Sequence, residues 1–79
     1  MNELEELIDV IVKALVDEPG EVLVTEKKGE HVSVIELKVA KKDLGKVIGK
    51  QGRNADAIRT ILNAVSTKIK RRCVLDLLE

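Results

Sequence analysis

Apolar residues recur at intervals of three and four along the first stretch of the chain: Leu4, Leu7, Ile8, Ile11 and Leu15. That spacing stacks them on one side of a 3.6-residue repeat and predicts a helix over 3–16. Asn2 followed by Glu5 makes a capping-box signature at its start, and Pro19-Gly20 stops it. Val10, Val12 and Val16 widen the apolar stripe beyond what a surface helix needs. Two arrangements satisfy such a stripe: deep burial, or a second face packed against another subunit.

The period then changes. "EVLVTEKKGEHVSVIELKVA", residues 21–40, carries two β-branched runs around Lys27-Lys28-Gly29-Glu30, a hairpin with Gly29 free to take positive φ. In the second run Val32 and Val34 share one parity while Ile35, Leu37 and Val39 share the other, which predicts a bulge or a strand buried on both faces. Residues 42–48 predict a short helix. Residues 53–68 predict a longer one with Ala55, Ile58, Ile61, Leu62 and Val65 facing inward, and "RRCVLDLLE" predicts a terminal strand. The order is α-β-β-α-α-β, in a single domain over 1–79. A β-α-α-β connection closes right-handed and sets the last strand parallel to the second, whereas the hairpin sets the first antiparallel to it. The expected fold class is therefore α+β, a three-stranded mixed sheet with helices packed on one face.

Composition narrows the chemistry. The chain has no Phe, Tyr or Trp, which removes the flat rings that many nucleic-acid sites stack bases on. Net charge is zero, but residues 1–36 hold ten acids and three bases while residues 37–79 hold four acids and eleven bases. Such a split fits a polyanion partner for the basic half, or two solvated faces that neutralise each other. Cys73 and His31 each stand alone, so no disulfide framework or metal cluster is expected. No acid pair has the spacing of acid–base chemistry. The expectation is a protein without catalytic residues, metal, cofactor or small-molecule substrate. "MNELEELIDV" is acidic where a secretory signal is basic, and Lys13 interrupts the apolar run "VIVKALV". A soluble, cytoplasmic protein with no membrane contact is expected.

One stretch resists a purely structural reading. In "GKVIGKQGRNADAIR", residues 45–59, Gly49 and Gly52 stand between two helix patterns, although a glycine inside a helix costs roughly 1 kcal/mol against alanine. At a helix junction Gly49 can act as a left-handed cap. The next helix would then begin with free N–H groups and the positive end of its dipole. Lacking β-carbons, Gly49 and Gly52 would admit a phosphodiester backbone, with charge from Lys50 and Arg53 and a neutral donor from Gln51. A nucleotide-binding P-loop needs four residues between its glycines and a Ser or Thr after the lysine, and here three intervene and Gln51 follows. Gly45 sits two places too early for a dinucleotide fingerprint.

With this stretch in an α-β-β-α-α-β chain, the sequence resembles a type II KH domain, and along its whole length it is similar to the small stand-alone bacterial KH proteins called KhpA. Gly49-Lys50-Gln51-Gly52 matches the GXXG loop of KH domains, which clamps the backbone of about four single-stranded nucleotides. The resemblance implies single-stranded RNA held in an apolar groove beside that loop. Val47 and Ile48 before it and Ala57 and Ile58 after it are candidates for the groove floor, positions that plain core would fill equally well. Val39 or Leu37 would face the bases from the second strand. "TKIKRR" matches the variable loop and would bring Lys68, Lys70, Arg71 and Arg72, while Lys46 and Arg53 flank the loop. Asp56 departs from this picture, since it repels a phosphate unless it faces away. The resemblance further implies a homodimer or a heterodimer with a larger KH protein, RNA chaperone activity, and a role in post-transcriptional control, cell elongation and wall homeostasis. Three or four phosphate contacts at a salt slope of about −0.7 each imply weak, roughly micromolar binding by one domain.

Two other readings compete: a helix-turn-helix DNA binder using Arg53 and Arg59, and a protein-interaction module whose loop is only structural. The wide first-helix stripe and the two-faced "VLDLL" favour the second of these.

Overall fold

The computed structural model describes residues 1–79 throughout. Helix α1 spans Glu3–Leu15 and starts with the expected capping box. The Asn2 side chain accepts from the Glu5 N–H at 2.8 Å, and the Glu5 carboxylate accepts from the Asn2 N–H at 3.0 Å. The same carboxylate accepts from the Glu26 N–H at 2.9 Å, so the cap also ties α1 to strand β1 (Leu23–Lys28). The amide donors of Asn2 and Glu26 hold the Glu5 carboxyl below its usual 4.5. Only Ile8 and Val12 of α1 are buried, and Val10 is 67% exposed. Deep burial therefore does not explain the wide stripe.

Strand β2 (Val32–Lys38) is central, antiparallel to β1 and parallel to β3 (Arg72–Leu77). Its change of phase is neither a bulge nor two-sided burial. The register with β1 runs without interruption from Leu23↔Lys38 to Lys28↔Ser33. Ser33, Ile35 and Leu37 point into the core, while Val32 and Val34 lie half-buried on the open face, where Val34 pairs with Val74. The helices cover the other face. Ile8, Val12, Val24, Ile35, Leu37, Val47, Ile58, Leu62, Cys73 and Leu75 form the core, each larger aliphatic contributing roughly 1.5–3 kcal/mol by leaving water.

Helix α2 is a short Leu44–Ile48, entered through a 3₁₀ turn at Lys41–Asp43, and α3 runs Arg53–Ile69. Ala55, Ile58 and Leu62 of α3 are buried as expected, whereas Ile61 is 38% exposed. Lys70 ends α3 in the left-handed conformation. Arg71 then reaches back to the hairpin tip, donating to the carbonyls of Gly29 (2.6 Å), Val32 (3.1 Å) and Glu30 (3.3 Å) and to Ser33 Oγ (3.1 Å). This satisfies the buried Ser33 and leaves no free loop between α3 and β3. No helix is long and apolar enough to cross a membrane.

Candidate nucleic-acid interface

The chain between α2 and α3 is a tight bend. Gly49 takes φ 78°, ψ 171°, which is positive but not the left-handed cap expected; the left-handed residues are Gln51 (φ 58°, ψ 25°) and Gly52 (φ 76°, ψ 11°). The Gly49 N–H donates to Gly45 O at 2.9 Å and the Gly52 N–H to Gly49 O at 3.0 Å. The N–H groups of Lys50 and Gln51 have no acceptor within the protein. Free donors thus lie in the bend itself, whereas the Arg53 N–H that begins α3, expected to be free, donates to Lys50 O. Lys50, Gln51 and Arg53 are exposed, and Arg53 Nη2 reaches Gln51 Oε1 at 3.4 Å.

Beside the bend lies a cleft of about 740 Å³. Leu44, Gly45 and Ile48 of α2 form one wall, Lys38, Val39 and Lys41 another, and Leu78 and Glu79 close its end. Ile48 immediately precedes Gly49, so the bend adjoins one wall of the cleft, although none of the residues from Gly49 to Arg53 lines it. Two of the expected groove residues, Ile48 and Val39, meet here. Two others do not: Val47 is fully buried and Ile58 is 2% exposed, because the inward side of each helix supplies the core. Leu37 is core for the same reason, and Ala57 is exposed but outside the cleft.

The expected flanking charges divide in the same way. Lys46 Nζ lies 3.3 Å from Asp17 Oδ2 and 3.7 Å from Asp43 Oδ1, so it is already paired. Lys70 and Arg71 are at the wrong end of α3, which at 17 residues is about 25 Å long. Arg71 is also committed to the hairpin. The cations without a carboxylate partner near the cleft are Lys38, Lys41, Lys50 and Arg53. Sequence reasoning missed Lys38 and Lys41, for which no motif exists; only the strand register and the 3₁₀ turn bring them opposite α2. Asp56 is exposed beside Arg59, whose Nη1 lies 3.6 Å from its carboxylate.

A brace holds α2 in place. Asp43 is fully buried, and its Oδ2 accepts from the Glu18 N–H at 3.0 Å. Burial pushes this carboxyl up, but the amide donors of Glu18 and Asp17 and the charges of Lys46 and Lys42 outweigh it and hold it below its usual 3.8. Lys42 bridges to Glu18 at 3.0 Å, and that hydrogen bond and charge raise its ammonium above its usual 10.5. No group of three or more His, Cys, Asp and Glu side chains gathers as a metal site. Helix α3 packs one side on the core through Ile58 and Leu62 and leaves Arg53, Asp56 and Arg59 on its outer side.

An α-β-β-α-α-β chain whose last strand joins the sheet in parallel, with a glycine-flanked bend between its two central helices, has the type II arrangement of KH domains. The family described as KhpA/KhpB, KH domain, matches residues 5–77. The RNA-binding protein KhpA of Aquifex aeolicus is 52% identical over 79 residues, the whole of both chains. Those of Clostridium acetobutylicum and Treponema pallidum are each 49% identical over 75 residues, covering 95% of this chain and 100% and 94% of theirs. The chain belongs to the KhpA/KhpB KH-domain family. A crystal structure of Aquifex aeolicus Era shares the fold, with a TM-score of 0.55 and 22% identity over 98% of this chain and 31% of that one.

Proposed function

We propose that this protein is a non-catalytic, cytoplasmic RNA-binding protein that holds a short single strand against the Gly49–Gly52 bend and in the cleft beside it. The observation that carries this reading is the pair of unpartnered N–H groups at Lys50 and Gln51, on exposed residues of a bend that adjoins the cleft at Ile48. A phosphate accepts from such amides, and the bases, finding no aromatic ring, rest on Ile48, Val39 and Leu44. Lys38 and Lys41 line the cleft, and Lys50 and Arg53 stand on the bend that adjoins it, so both pairs can meet phosphates of one strand. Family membership supports the ligand, since the relatives with which the chain aligns from end to end are RNA-binding proteins. With so few phosphate contacts, affinity for one domain is roughly micromolar and sequence selectivity low.

The finer role follows the family resemblance: an RNA chaperone in post-transcriptional control and in cell elongation and wall homeostasis, acting as a homodimer or with a larger KH protein. Pairing is supported by apolar side chains left exposed on α1 and α3, among them Leu7, Val10, Ile61 and Ile69. Joining two weak sites raises effective affinity a hundredfold or more. The test is to replace Lys50 and Gln51 by aspartate while leaving both glycines. RNA crosslinking is expected to be lost with melting temperature and dimer state unchanged; unaltered crosslinking would remove the bend from the site.

A further inference from the structure

Gly49 and Gly52 are equivalent in the motif but not in the molecule. Gly52 holds a left-handed backbone with nothing within 4 Å of the point where a β-carbon would stand. At Gly49 that point is already crowded: it lies 2.6 Å from Asn54 Cγ and 2.8 Å from both Asn54 Cβ and its backbone N. The space beside Gly49 is filled from within the protein. Asn54 also donates from Nδ2 to Lys46 O at 2.8 Å, meeting a carbonyl in the last turn of α2 that has no helical partner. One side chain in the first turn of α3 therefore closes the end of α2 and sits against the backbone that begins the bend.

We infer that Asn54 is a positioning residue, a lock that fixes Gly49 and so presents the Lys50 and Gln51 N–H groups as a rigid pair. The glycines divide the work. Gly49 lacks a β-carbon so that Asn54 fits, and Gly52 supplies the left-handed turn while keeping its own surface open to a ligand. The consequence for RNA rests on the reading in the preceding section; the lock itself is a property of the free protein. The Asn54 hydrogen bond lies at the surface, so water replaces it when it is lost. Removing it loosens the bend without unfolding the domain.

The experiment compares wild type with Asn54→Ala in the full chain. Nitrogen-15 relaxation of the free protein is expected to give order parameters near about 0.85 at Lys50 and Gln51 in wild type and values falling toward about 0.6 in the variant. Affinity for a single-stranded RNA octanucleotide drops about tenfold through lost preorganisation, while the melting temperature holds. The slope of log Kd against log salt is also unchanged, because no phosphate contact disappears. Gly49→Ala produces the same loosening, and adding Asn54→Ala to it costs little more; the effects of Asn54→Ala and Gly52→Ala are additive. The inference is overturned if Asn54→Ala leaves the order parameters at Lys50 and Gln51 as they were, or if its effect adds fully to that of Gly49→Ala. A wild type that binds no RNA would overturn the functional reading instead, and the order parameters would still decide the lock.

Discussion

Gln51 and Lys70 are the non-glycine residues held at positive φ, 58° and 57°, a conformation that costs an L-residue roughly 1–2 kcal/mol. They differ in what they offer in return. Gln51 turns the bend that frees two amides, whereas Lys70 only ends α3 before Arg71 swings to the hairpin. Lys70→Gly is therefore expected to stabilise the fold by up to about 1 kcal/mol, as glycine does at helix C-termini. Urea denaturation measures the gain, and RNA affinity should stay at the wild-type value; a weakened complex would restore Lys70 to the site. In the sequence, "TKIKRR" is a run of equivalent bases, and nothing local separates a solvated lysine from an arginine that caps carbonyls some 40 residues away. Asn54 was hidden for a similar reason. Its part depends on the conformation of Gly49, which the motif does not state. The glycine pair, Lys50, Gln51 and Arg53 were legible because a helix junction needs a reason to carry two glycines.

Among elements, periodicity placed all three helices and all three strands, since each presents one apolar side to a shared core. It misjudged where that side ended. The α1 stripe implied more burial than Ile8 and Val12 receive, and the extra apolar positions are outward-facing. Both parities of β2 are apolar because the open sheet face retains a valine pair, Val34 with Val74. The links between elements were invisible in the sequence, because each joins a carboxylate to distant amides. Glu5 holds α1 to β1, and Asp43 holds the segment after α1 to the start of α2. Both carboxyls titrate below their ordinary values of 4.5 and 3.8. A depressed folded pKa means that the stabilisation is present above the ordinary value and disappears as the pH falls through the folded one. Thermal melts should accordingly hold level above about pH 5 and drop below about pH 4. Asp43→Asn and Glu5→Gln should each lower the plateau and flatten that acid limb; limbs as steep as that of wild type would show that these carboxylates do not set it.

At the level of the whole molecule, the opposed charges of the two halves are partly cancelled by contact. Glu18 holds Lys42 and Asp17 holds Lys46, so acids before β1 neutralise bases around α2. Lys38, Lys41, Lys50 and Arg53 escape that neutralisation, the first two lining the cleft and the other two standing on the bend next to it. Net charge near zero is thus compatible with locally unpaired cations, and the account in which the two halves neutralise each other holds in part. The fold sets an open trough against a short α2 with one donor-bearing bend next to it, while the α3–β3 end is occupied in holding the hairpin. The direct measurement is a nitrogen–proton NMR titration of the full chain with a short single-stranded RNA. The largest shifts should fall on Lys50, Gln51 and Gly52, followed by Ile48, Val39 and Lys41. Shifts centred instead on Lys70–Arg72 and the Gly29 hairpin, with the bend unmoved, would contradict the account.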